Sequence, residues 1–313
     1  MTLTNRQYKD RLFVFIFGRE ENKEWTLSLY NAINGSHYSD PSAIEITTIQ
    51  EVIYLGMHND VSFLIADELN LYEQQASYNP NMPLRQLQYL SLLYEGYLQK
   101  NKDKYDKFGR YLIPLPVPRC VVFYNGLDKL AEETTLHLSD AFPKGMKGDV
   151  EVTVRMLNIN YGKNKSLLEA CKPLTEYAWI VQEIRKYNKV MDIKQAIDAV
   201  IVNLPNDFIL KPFLEIHKAE VGDMLLTEYN EIQREELLRK TERKEGLKKG
   251  IKKGRKEGLK KGTIKAVMRN IQSIMESLHL SFEQAATVLK IPAEEYDFYR
   301  NSIIQKNEDA LEK

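Results

Sequence analysis

The chain has 313 residues, with 44 Lys and Arg against 44 Asp and Glu, and two cysteines. That length accommodates an α/β core with a smaller appendage, and Cys120 and Cys171, set in apolar or helical-looking segments, suit free thiols in a reducing compartment better than a disulfide framework. No apolar signal core follows Met1, no run approaches a membrane span, and no glycine loop precedes a helix, so a cytoplasmic protein without membrane contact or ATP-driven chemistry is expected.

In chain order, the first strong signals are two strand-like segments, 60–65 and 71–77, joined by the polar link Ala66-Asp67-Glu68-Leu69-Asn70, which reads as a hairpin turn. Side chains two apart on a strand share a face, so Glu73 and Gln75 point together while Tyr72 and Gln74 point oppositely. With Asp60 opening the first strand, its carboxylate is expected near the Glu73 face at the end of the sheet. Converging carboxylates of this kind suit Mg²⁺ (or Mn²⁺), which takes one or two protein carboxylates and completes its shell with water and phosphate. A helix is predicted over 83–99, where Arg85 and Tyr89, four apart, share a face that can turn toward this site; a surface cation and a core aromatic are the bland alternatives. His58 is expected to be a structural histidine.

The run 117–124 reads as a buried strand entering a turn at Asn125-Gly126, and 150–156 alternates in part, as another strand would. Segments 166–187, 192–202 and 207–220 are predominantly helical, with Tyr177 and Trp179 expected in the core. Between Arg239 and Gly262 lie twelve Lys or Arg and three Glu, a local charge of +9 that leaves −9 for the remainder. Gly246, Gly250, Gly254, Gly258 and Gly262 recur every four residues through this stretch. On a helix that spacing drifts about 40° per step, while interior glycines cost about 1 kcal/mol each relative to alanine, so the isolated segment should fray. A flexible or semi-helical linker, a self-association face and a DNA contact are all open to it. Beyond it, 263–278 has helical periodicity, Ser281-Phe282-Glu283-Gln284 opens a helix with a capping-box pattern, and 293–304 follows as a further helix whose Tyr296, Tyr299 and Arg300 can face a groove or a neighbour. Helix, turn, helix suits a DNA reader and equally a capping or oligomerising bundle. The expected domains are 1–236, a basic glycine-repeat linker or helix over 237–262, and a small helical module over 263–313.

Asp, a hairpin, then Glu-x-Gln on a strand resembles the PD-(D/E)XK nuclease pattern, with Gln where a final Lys is usual. The run Leu71-Tyr72-Glu73-Gln74-Gln75-Ala76-Ser77-Tyr78-Asn79-Pro80-Asn81-Met82-Pro83-Leu84-Arg85, with Tyr89, is similar to the Rpn family of recombination-promoting nucleases and PD-(D/E)XK transposases. So are Phe123-Tyr124-Asn125-Gly126, Leu157-Asn158-Ile159-Asn160-Tyr161-Gly162 and Glu220-Val221-Gly222-Asp223-Met224-Leu225-Leu226-Thr227-Glu228-Tyr229. The resemblance spans roughly the first three quarters of the chain. It implies an α/β, restriction-endonuclease-like mixed sheet flanked by helices with a helical C-terminal extension. It also implies a Mg²⁺-dependent DNA endonuclease serving recombination, element mobility or defence. Asp60 and Glu73 would be metal ligands, the Gln74 carbonyl a further candidate, and Gln75 would stand at the lysine position. There an amide offers hydrogen bonds and no charge. Asp10 resembles the acidic residue of that family's first helix, with an ordinary helix-start acid as the alternative. The runner-up is a DNA-binding or assembly protein that keeps the fold after losing efficient catalysis, and homo-oligomers through the C-terminal repeat and helices are a further expectation.

Overall fold

The computed structural model describes residues 11–47 and 60–311. Its elements in chain order are α1 (Leu12–Phe17), α2 (Lys23–Asn34), β1 (Glu45–Ile46), β2 (Val61–Ile65), β3 (Glu68–Gln75), α3 (Met82–Lys100), β4 (Val117–Tyr124), β5 (Glu133–His137), β6 (Thr153–Asn158), α4 (Lys165–Ala170), α5 (Lys172–Tyr187), α6 (Ile193–Val202), α7 (Lys211–Ile216), α8 (Lys218–Leu278), α9 (Phe282–Val288) and α10 (Tyr296–Leu311). The chain divides into two compact units, residues 1–235 and 236–313. The expected pieces 237–262 and 263–313 therefore fall within one unit. Asp10 and His58 lie outside the described residues.

Unit 1 is α/β, built on a mixed open sheet of order β1-β2-β3-β4-β6-β5. β1, β2 and β3 form an antiparallel meander, β4 and β6 run parallel to β3, and β5 returns antiparallel on the outer edge. The β2–β3 hairpin is tighter than the five-residue link suggested. Only Ala66 and Asp67 form the turn, both with positive φ (49° and 60°), as a type I′ connection requires. β3 therefore starts at Glu68 rather than Leu71, and Leu69 and Asn70, read as turn residues, pair with Leu64 and Phe63. The short edge strand β5 had no sequence signal: of Glu-Thr-Thr-Leu-His only Leu136 is buried.

Both faces of the central strand β3 are covered, so from Leu69 to Gln75 even its polar side chains are buried. Tyr72 and Asn70 alternate with Leu69 and Leu71, and all are buried. On one face Phe63, Tyr72 and Phe123 meet the rings of Phe13 from α1 and Tyr177 from α5, with centroids 5.0 to 5.7 Å apart. On the other, Leu69 and Leu71 pack with Tyr89 and Leu93 of α3. α1 is apolar nearly all round, with Leu12, Phe13, Phe15, Ile16 and Phe17 all inside. The segment 166–187 is two helices rather than one. The chain leaves helical backbone at Cys171 before Pro173, whose ring and missing N–H are tolerated only in the first turn of α5.

Unit 2 contains the charged repeat, which is helical throughout as part of α8, with 237–262 exposed. In the full chain the segment continues one helix on both sides, the context that an expectation of fraying in isolation leaves out. Nothing lies within 4 Å of a Cβ added at any of the five repeat glycines. Met268, Ile271, Ala285 and Tyr299 form the small core of this unit. The capping box at α9 is present, with Ser281 Oγ accepting from Gln284 N–H and Gln284 Oε1 accepting from Ser281 N–H. Tyr299, read as able to face a groove or a neighbour, is buried in this core. Arg300 is ion-paired with Glu283 and Asp297 and lies over the Phe282 ring, so its charge is used internally.

Candidate metal centre

The hairpin register builds the site. Val61 pairs with Tyr72, so Asp60, one residue earlier, stands opposite Glu73 where the two strands end. The Asp60 N–H donates to Glu73 Oε1 at 3.2 Å, and the Gln74 N–H donates to Asp60 Oδ2 at 2.7 Å. Two carboxylates separated by thirteen positions in sequence are thus locked to one another through main-chain donors. Both are buried, Asp60 at 4% and Glu73 at 1% exposure. Burial first, and then the neighbouring Asp60 charge, push the Glu73 carboxyl well above the ordinary carboxylate range; Arg85 opposes the shift.

Two guanidinium groups approach the acids. Arg85, from α3, places Nη2 3.4 Å from Glu73 Oε2 and donates from the same nitrogen to the Tyr89 hydroxyl at 2.9 Å. Tyr89 is accordingly both a core ring and a brace for Arg85. Arg11, just before α1, places Nη1 3.8 Å from Asp60 Oδ2 and donates to the Gln74 carbonyl oxygen at 3.1 Å. Nothing local in the sequence pointed to Arg11, which reaches the site through the packing of α1.

Gln75 shares the Glu73 face and is nearly buried, and its carbonyl oxygen accepts the Asn125 N–H at 3.0 Å. Among the described residues no hydrogen bond links its side chain to Asp60 or Glu73. Gln74 belongs to a buried amide network on the opposite face. Its Nε2 donates to Asn125 Oδ1 at 2.7 Å, and Asn125 Nδ2 donates to the Tyr177 hydroxyl at 3.0 Å. Arg185 donates to the Asn125 carbonyl and, at 2.9 Å, to Asn160 Oδ1, while Asn160 Nδ2 donates to the Gly126 carbonyl at 3.0 Å. Segments 123–126 and 157–162 are therefore the scaffold that holds the end of β3. Gly126 is obligatory in it, since a Cβ there would stand 2.2 Å from the Ala76 carbonyl and 2.5 Å from the Tyr124 hydroxyl.

The donor set fits a hard divalent cation. Asp60, Glu73 and the Gln74 carbonyl present oxygens only, and burial disfavours the anionic form of Glu73 that a cation would favour. Among the described residues no group of three or more His, Cys, Asp or Glu side chains forms a closed cage. The arrangement suits an ion that keeps water and substrate oxygens in its shell better than a structural zinc. The two thiols take no part: burial pushes Cys120 up to about 12 and Cys171 up to about 11. Among the described residues no helix is long and apolar enough to cross a membrane. No protein-family model, no curated protein and no solved structure matches the chain.

Proposed function

We propose that this chain is a Mg²⁺- or Mn²⁺-dependent DNA endonuclease with a PD-(D/E)XK, restriction-endonuclease-like core, of the kind its motifs resemble in the Rpn nucleases and transposases. The observation that carries the reading is Asp60 set opposite Glu73 at the end of one hairpin, each acid accepting a main-chain N–H of the other strand, with the Gln74 carbonyl beside Asp60 on the shared Arg11 guanidinium. The meander β1–β2–β3 followed by α3 and the parallel strand β4 is compatible with that core. Asp60 and Glu73 would hold the ion with the Gln74 carbonyl oxygen. When bound, the ion would polarise a phosphodiester and make a water nucleophilic near neutral pH. Gln75 at the lysine position would offer hydrogen bonds and no charge, so positive charge for the phosphate falls to the arginines. Arg85, about one third exposed beside a buried Glu73, is placed to meet an incoming anion. The basic stretch of α8 supplies the long-range attraction that the acidic remainder lacks.

The test is nicking of supercoiled plasmid by purified protein with and without Mg²⁺, beside Asp60→Asn and Glu73→Gln. Metal-dependent nicking lost by about two or more orders of magnitude in both variants is expected. Nicking that persists in either variant would refute the site. A second reading, a DNA-binding or assembly protein with little catalysis, is favoured by the burial of both acids and by the guanidinium groups set against them. It predicts metal-independent binding without nicking. Self-association through α8, where Leu247, Ile251 and Leu259 are exposed beside the glycines, belongs to either reading and is measured by solution mass.

A further inference from the structure

Arg11 does something that neither a structural cation nor a substrate clamp needs to do. Its Nη1 lies 3.1 Å from the Gln74 carbonyl oxygen and 3.8 Å from Asp60 Oδ2, on two of the three ligands assigned above to the metal. An ion held by those oxygens would compete with the guanidinium for both of them, beside an acid that is buried. The Asp60 side chain is 3% exposed and that of Arg11 is 19% exposed, so Arg11 is the more accessible of the pair.

We propose that Arg11 is a resident cation, seated on the Asp60 carboxylate and the Gln74 carbonyl of the metal-free protein and displaced by side-chain rotation when a divalent ion enters. The inference rests on the metal reading above. Rotation is the motion available, because the backbone that follows Arg11 is anchored. Leu12 and Phe13 are fully buried, and the Leu12 N–H donates to Glu228 at 2.7 Å. Arg85 is a different case. It touches Glu73 alone among the three ligands, from the α3 side and braced by Tyr89, and it can remain while the ion binds. The expected consequence is a metal affinity set by competition: Arg11 keeps the two acids tolerable without metal and weakens the site for the ion.

The experiment is isothermal titration of full-length protein with Mn²⁺ at fixed ionic strength, for wild type, Arg11→Gln, Arg11→Met and Arg11→Lys. Removing the charge should tighten binding about tenfold or more in the Gln and Met variants, while the Lys variant stays within about threefold of wild type. Wild-type or weaker affinity in folded Gln and Met variants would overturn the proposal and leave the metal reading intact. Absence of Mn²⁺ binding in all four proteins would remove the metal reading and this inference together. Should the neutral variants misfold, the Arg11 side-chain N–H resonance, identified by its loss in Arg11→Lys, must shift as Mg²⁺ saturates the wild type. A resonance that stays in place sinks the idea.

Discussion

At the residue scale the site is a problem of anions in a dry place, and Glu73 carries most of it. Its carboxyl is held above the ordinary range by burial and by Asp60, so the folded protein favours the protonated form. The contribution to stability is then fully present below the ordinary carboxylate value and is lost as the pH rises toward the raised folded value. Glu73→Gln should therefore melt about 3 °C or more above wild type near pH ~8 without metal, with the gap closing toward pH ~4. A variant that melts below wild type at the higher pH would show that Arg85 outweighs burial. Gly126 makes the opposite kind of demand. A methyl group there must push the Ala76 carbonyl or the Tyr124 hydroxyl aside, so Gly126→Ala should cost about 3 kcal/mol or more, read as a lower urea midpoint. The nearness of Asp60 to the Glu73 face was legible from strand alternation, but the register was not: a five-residue turn over 66–70 sets Asp60 opposite Ala76, and only the two-residue turn brings it to Glu73. Arg11 was not legible, because its approach depends on the tertiary seating of α1 and on no local spacing.

At the element scale the misreadings share a cause. The β2–β3 link looked like a five-residue turn because Asp67, Glu68 and Asn70 are turn formers, yet pairing of Leu69 and Asn70 with the facing strand outweighed propensity. Periodicity joined α4 to α5, and Pro173 divides them. The glycine repeat is a different case: propensity predicts fraying of the segment in isolation, while in the full chain it lies inside a longer helix with open space at every glycine. If those glycines serve nothing in the chain, replacing all five by alanine should raise the thermal persistence of helical ellipticity, with about 1 kcal/mol per site available. An unchanged or lower melting temperature would mean that the bare helix face is needed for close contact with another molecule.

At the scale of the whole molecule, zero net charge is the sum of two unlike parts. Unit 2 holds eighteen Lys and Arg against twelve Asp and Glu, a net +6 balanced by −6 in unit 1. On the proposed function, an acidic unit that carries buried acids is a poor collector of DNA, and the exposed lysine pairs along α8 would collect it without regard to sequence. The two tasks are then separable by mutation. Neutralising Lys248, Lys249, Lys252, Lys253, Lys260 and Lys261 to Gln in the full chain should weaken duplex binding and flatten its dependence on salt by up to about 5 units of log–log slope, since each phosphate contact contributes about 0.9. Asp60→Asn should leave that slope unchanged while abolishing nicking. A lysine variant with wild-type affinity and slope would place the DNA contact in unit 1. The Arg85 side of the candidate site would then have to supply the attraction expected of the repeat.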